Sequence, residues 1–230
     1  MTHSQADPKE VAGRRAAELV ETGMTLGLGT GSTVYFYLVA LADRIRRGGL
    51  KVRGVPTSLD TERKARELGI PLATLDEVTR IDLTVDGADE IDVRFDMIKG
   101  GGGALLREKV VASLSQRVAI VVGANKVVHR LGLTFALPVE VVPFARAVVE
   151  RSLASLGCSP TLRLRDGREF VTDNHNAILD CTFTRAIEDP AALERAIDAI
   201  PGVVESGLFV GLAHVRLVGH SDGSCEVVEK

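Results

Sequence analysis

Ile81-Asp82-Leu83-Thr84-Val85 runs into Asp86-Gly87-Ala88-Asp89-Glu90, and further on Lys99-Gly100-Gly101-Gly102-Gly103 leads to Arg107-Glu108-Lys109. The opening residues have the short, β-branched pattern of a buried strand, and in open α/β sheets ligands collect beyond the carboxyl ends of such strands. Asp86 and Asp89 are therefore expected at that mouth. Successive glycines leave backbone N–H groups open to an oxygen-rich ligand and permit angles barred to other residues. Lys99 borders them with a cation. Glu108 falls near the start of a helix expected from about Leu105 to Leu114, where a carboxylate can be held facing the loop. Each piece has a structural reading of its own: aspartates beside glycine shape turns, Glu108 can complement a helix dipole, and Lys99 can be a solvated lysine. A turn does not require all of them in this order, whereas an acid, a base and an oxyanion cradle do.

The chain has 230 residues, enough to bury a real core in one large domain or in one large and one small. A net charge of −3 asks for neither nucleic acid nor an anionic membrane as partner. No apolar run approaches the ~18 to 20 residues of a spanning helix. The stretch from Met1 to Glu10 is polar, without the apolar core of a signal peptide, and the expected location is cytoplasmic. Cys158, Cys181 and Cys225 are odd in number and widely spaced, which fits reduced thiols. The histidines, His3, His129, His175, His214 and His220, show no ligand spacing, and no metal site is expected.

Lys9 to Glu21 has helical composition, closed by Thr22-Gly23. A strand from Met24 to Leu28 then enters Gly27-Leu28-Gly29-Thr30-Gly31-Ser32-Thr33, ahead of a helix expected from about Val34 to Arg46. A strand, a glycine-rich turn and a helix N-terminus make an anion site, because free N–H groups and the positive end of the dipole face the ligand. The glycine spacing departs from the dinucleotide fingerprint G-x-G-x-x-G, and the hydroxyls of Thr30, Ser32 and Thr33 suit a phosphate monoester. Ser32 or Thr33 can also cap the helix. Val52 to Val55, a helix from about Asp60 to Leu68, and a strand from Arg117 to Val122 ending at Gly123-Ala124-Asn125-Lys126 continue the alternation. This pattern predicts a parallel α/β sheet and places Lys126 at another strand end.

The second half changes character. An extended run from Leu137 to Pro143 precedes a helix from about Ala145 to Leu156. Leu162 to Arg165 and Arg168 to Val171 flank Asp166-Gly167, a two-residue hairpin signal. A strand from Ala177 to Thr182, a helix from Ala191 to Ile200 and a strand from Val203 to Val210 complete a ferredoxin-like pattern. Val215 to Val218 and Cys225 to Val228 are expected to rejoin the first domain. The fold class is α/β: a Rossmann-like parallel-sheet domain over 1–132 and 211–230, with a smaller ferredoxin-like α+β domain over 133–210.

Asp86-Gly87-Ala88-Asp89-Glu90-Ile91 and Lys99-Gly100-Gly101-Gly102 followed by Arg107-Glu108-Lys109 resemble the signature motifs of ribose-5-phosphate isomerase, type A. Gly29-Thr30-Gly31-Ser32-Thr33, Thr172 to Asp180 and Ala199 to Val204 are similar to the same family, so the resemblance spans Lys9 to Gly223. Gly103 and Leu106 depart from a typical alanine and threonine, and His175 stands where glycine is common.

The resemblance implies interconversion of ribose 5-phosphate and ribulose 5-phosphate through an enediol, in the pentose phosphate pathway. It makes Glu108 the base, with Lys99 and the N–H groups of Gly100 to Gly102 as enediolate donors. It gives Asp86 the hydroxyl protons and ring opening. Asp89, with Gly87 and Ala88, would hold the sugar, Lys126 would contact it, and Lys9 with Thr30, Gly31, Ser32 and Thr33 would hold the phosphate. It implies no cofactor and no metal, a small sugar phosphate as the partner, and a homodimer or dimer of dimers. A sugar-phosphate-sensing regulator, a coenzyme A transferase and a nicotinamide-dependent dehydrogenase are the rival classes. The first lacks room for a DNA-binding element in Met1 to Glu21.

Overall fold

Short apolar strands that alternate with amphipathic helices can bury both faces only by stacking in parallel with the helices outside, and this chain does so in its first half. The computed structural model describes residues 6–230; the beginning of the polar amino-terminal stretch, with His3, lies outside them. The first half comprises α1 (Pro8–Ala17), β1 (Thr25–Leu28), α2 (Ser32–Gly48), β2 (Arg53–Pro56), α3 (Leu59–Glu67), β3 (Ile81–Asp86), β4 (Glu90–Ile91), β5 (Met97–Ile98), α4 (Leu105–Ser113) and β6 (Ser115–Gly123). The second comprises β7 (Leu137–Val141), α5 (Arg146–Ser155), β8 (Cys158–Leu162), β9 (Leu164–Arg165), β10 (Arg168–Glu169), β11 (Ala177–Phe183), α6 (Pro190–Asp198), β12 (Val203–Ser206), β13 (Leu208–Phe209), β14 (Val215–Gly219) and β15 (Cys225–Glu229).

Two units result. The first runs to Gly87 and takes up Arg107–Val127 and Leu212–Lys230. Its sheet has the order β15-β14-β6-β3-β1-β2, parallel except for β15. Leu26, Leu28, Leu83, Val85 and Val121 of the sheet bury against Ala12 and Ala16 of α1 and Tyr37, Leu38 and Leu41 of α2. Each large aliphatic side chain so buried contributes about 1.5–3 kcal/mol. Helix α1 stops at Ala17 rather than Glu21. The next three N–H groups tighten to bonds with residues three back, and the Arg44 guanidinium donates to the carbonyls of Ala17 and Val20. From β1 the chain moves outward to β2, then returns to the other side of β1 as β3, so the strand order reverses between β1 and β3. That reversal is the topological switch point where open α/β sheets bind ligands.

The second unit consists of Ala88–Leu106 and Val128–Gly211. Its antiparallel sheet has the order β12-β7-β11-β8, the arrangement of a βαββαβ ferredoxin-like unit. Val139, Val141 and Leu179 from the sheet pack with Val149 and Leu153 of α5 and Ile197 of α6. Ala88–Leu106 was expected with the parallel sheet, but its strands β4 and β5 form a three-stranded sheet with β13. Glu90, fully buried, accepts hydrogen bonds from the backbone N–H groups of Gly132, Thr134 and Phe135.

The strand expected over Val203 to Val210 breaks at Gly207, so that β12 pairs with β7 and β13 with β5. Gly207 donates to Pro138 O at 2.7 Å and accepts from Lys99 N at 2.9 Å. The hairpin at Asp166-Gly167 forms but pairs only two residues on each side, and the sheet's second strand is β8. His175 adopts φ +63, the left-handed conformation that glycine takes without penalty.

Candidate active site

The expected site residues divide between the two units. In the first, the carboxyl end of β1 opens into Gly29-Thr30-Gly31 and that of β3 into Asp86-Gly87, side by side at the switch point. Asp86 is 2% exposed, and its Oδ1 accepts the N–H groups of Thr30 at 3.0 Å and Gly87 at 2.7 Å. Two fixed donors on one oxygen set the plane of the carboxylate. Its seat exists because residue 29 is glycine: a Cβ there would lie 2.2 Å from Asp86 Oδ1.

Helix α2 starts from Gly31 at φ +121, with no side chain capping it. The hydroxyls of Ser32 and Thr33 are therefore not used as the cap, and the first-turn N–H groups remain a site for anions. Lys9 Nζ donates to Ser32 Oγ at 3.0 Å, which brings a cation from α1 to the start of α2. Thr30 is placed differently from its neighbours. Its Oγ1 lies 2.8 Å from Thr57 Oγ1, donates to Ser58 Oγ at 2.9 Å, and is 3.2 Å from Thr61 Oγ1. The hydroxyl thus ties the loop to the β2–α3 turn, while Thr61 Oγ1 donates to Gly29 O at 2.8 Å. Glu108 is buried in the first turn of α4. Lys126 closes a single 3-10 turn, Ala124–Lys126, directly after β6.

In the second unit, Asp89 and Lys99 flank the glycine turn. Asp89 Oδ2 accepts the Gly101 N–H at 2.8 Å. Gly103 N–H returns to Gly100 O at 2.9 Å, closing a four-residue turn with φ +101 at Gly100 and +86 at Gly103. Lys99 is 4% exposed, and its Nζ lies 5.4 Å from the centre of the Phe209 ring. Gly103 has a reason in the structure: a Cβ there would meet the Phe170 ring at 2.3 Å. Of the N–H groups expected as donors, that of Gly101 is held by Asp89, while Gly102 is exposed.

Sequence reasoning missed two supports. Thr57, Ser58 and Thr61 follow β2, where Ser58 caps α3 by accepting from Thr61 N; their grip on Thr30 leaves no mark in the local sequence. Arg163 was not singled out at all. Its Nη1 donates to the carbonyls of Gly100 at 2.8 Å and Gly101 at 3.2 Å.

The ribose 5-phosphate isomerase A (phosphoriboisomerase A) family model matches residues 53–223. Among curated relatives, the ribose-5-phosphate isomerase A of Gloeobacter violaceus is 53% identical over 221 residues, 96% of this chain and 95% of its own length. Ribose 5-phosphate isomerase from Plasmodium falciparum has a solved structure that superposes with a TM-score of 0.93 at 41% identity, covering 96% of this chain and 97% of that one. A D-ribose-5-phosphate isomerase solved in complex with phospho-erythronic acid superposes at 0.94 with 34% identity, covering 98% of this chain and all (100%) of that one.

Proposed function

The chain belongs to the ribose 5-phosphate isomerase A family, and from that membership we propose how its residues share the reaction. It is an aldose-ketose isomerase that interconverts ribose 5-phosphate and ribulose 5-phosphate, a step of the pentose phosphate pathway. Moving a proton between adjacent carbons requires one base that removes it from the first and returns it to the second, and a carboxylate serves both steps. Glu108 is that base. Its burial in the first turn of α4 supports the role, since a carboxylate held on a helix and shielded from bulk water is fixed in position for proton transfer.

Asp86 handles the hydroxyl protons during ring opening and isomerisation. The observation that carries this reading is its buried carboxylate at the switch point, with Oδ1 held by two backbone N–H groups. Ser32, Thr33 and Lys9 hold the phosphate at the start of α2, supported by the Lys9 to Ser32 contact. Gly31 keeps the loop open, and Thr30 holds it in place. Binding that remote charge positions the reacting carbons. Asp89, with Gly87 and Ala88, holds sugar hydroxyls, and Lys126 contacts the sugar phosphate. Lys99 and the glycine turn stabilise the enediolate.

Phospho-erythronic acid, the ligand of one solved relative, is expected to bind here, its planar carboxylate standing in for the enediolate. The assembly carried over from the family is a homodimer or dimer of dimers, to be read by sedimentation. Three unpaired thiols, Cys158, Cys181 and Cys225, support a cytoplasmic location.

Conversion of ribose 5-phosphate in chelator-treated buffer tests the reading. The native chain is expected to turn over, and Glu108→Gln to lose roughly 10²- to 10⁴-fold in kcat while still binding phospho-erythronic acid. A native chain that binds the sugar phosphate without converting it would contradict the assignment.

A further inference from the structure

We propose that Arg163 is a positioning residue for the isomerisation, which it serves by fixing the direction in which the peptides of the glycine turn point. The inference rests on the reading of that turn as the donor to the enediolate. Within a trans peptide, C=O and N–H point in opposite directions. Arg163 Nη1 donates to Gly100 O and to Gly101 O, so the N–H groups of the same two peptides, those of Gly101 and Gly102, are turned away from it. The Gly101 N–H goes to Asp89 Oδ2 at 2.8 Å. The Gly102 N–H, in an exposed residue, is thereby directed outward as the turn's donor to an anion.

The Gly100–Gly101 peptide is also held by the Gly103 N–H on Gly100 O and by Asp89 on the Gly101 N–H, so Arg163 matters most for the Gly101–Gly102 peptide, whose carbonyl it holds at 3.2 Å. Glycine tolerates either sign of φ, so a peptide flip costs little. A carbonyl flipped outward would oppose the developing negative charge that an outward N–H favours. The guanidinium also polarises the two peptides it holds, and hydrogen bonds in such a chain strengthen one another.

Arg163 is itself held. Its Nε donates to Asp180 Oδ2 at 2.8 Å and its Nη2 to Asp180 Oδ1, a two-point pairing that fixes the guanidinium plane. Its side chain is only 12% exposed. Phe170 lies 5.9 Å from the guanidinium and also fills the space under Gly103, closing the turn from below. Asp180 sits on β11 and Arg163 directly after β8, two strands paired in register, so the small unit's sheet supplies a rigid mount.

The test compares the unsubstituted chain with Arg163→Met, Arg163→Lys and Asp180→Asn, all checked for cooperative thermal unfolding. The expected result for Arg163→Met is a kcat lower by roughly 10²-fold, with KM for ribose 5-phosphate little changed. Arg163→Lys keeps the charge without the planar fork and is expected to recover only part of the loss, and Asp180→Asn to show a smaller fall in kcat. Affinity for phospho-erythronic acid should weaken in step with kcat, and affinity for inorganic phosphate should stay the same. If Arg163→Met does not fold, the other two variants decide. A folded Arg163→Lys or Asp180→Asn with unchanged kcat, a loss confined to KM, or an equal loss of affinity for both anions overturns the proposal. An unsubstituted chain that fails to isomerise would instead remove the functional reading, and this inference with it.

Discussion

Gly29 is the residue on which Asp86 depends most closely. Any Cβ at position 29 must displace the carboxylate, because 2.2 Å is far inside contact distance and the backbone Cα of Asp86 would lie only 2.6 Å away. Gly29→Ala is therefore expected to cost about 1–3 kcal/mol of stability and to lower kcat by more than tenfold, read by denaturant unfolding and steady-state kinetics; unchanged kcat would show that the seat of Asp86 does not matter. At this scale much was legible. Asp86, Asp89, Lys99 and the glycines stood out because their types and order suit an oxyanion site. The hydroxyl of Thr30 did not, because its partners Thr57, Ser58 and Thr61 come near only once β1 and β2 pair. Arg163 was silent for the same reason: its targets are backbone carbonyls about sixty positions away, which no local pattern marks.

Glu90 shows the element scale. Its carboxylate sits on β4 and gathers the N–H groups of Gly132, Thr134 and Phe135, so one side chain fixes the path of the chain between β6 and β7. Glu90→Ala leaves those donors without their acceptor, at roughly 1–3 kcal/mol for each buried group. A fall in unfolding free energy of more than about 3 kcal/mol is expected; a change under 1 kcal/mol would show that water replaces the carboxylate. Strands and helices of the parallel sheet were legible because their apolar runs are buried on both faces. Strand β8 was missed because Cys158-Ser159-Pro160-Thr161-Leu162 carries a proline at its centre, which argues against a strand. It lies at the edge of its sheet, where proline is tolerated.

On the scale of the molecule, the chain passes between its two units after Gly87, Leu106, Val127 and Gly211. The smaller unit is therefore not a contiguous segment. A fragment of 133–210 would lack β5, the partner of β13, and Glu90, the acceptor for Phe135 and Thr134. Such a fragment is expected to give no cooperative thermal transition by circular dichroism; a sharp transition would show that 88–106 is dispensable. Sequence could place the boundary near 132 by change of character, but not the early visit of Ala88–Leu106, since two-residue strands leave no periodic signature. The most direct test of the account is proton exchange at C2 of ribose 5-phosphate in deuterated water, followed by NMR for the native chain and Glu108→Gln at saturating substrate. The expected result is conversion with solvent deuterium entering the sugar for the native chain, and loss of both in the variant by roughly 10²-fold or more. A variant that exchanges and converts within a few-fold of the native rate would contradict Glu108 as the base.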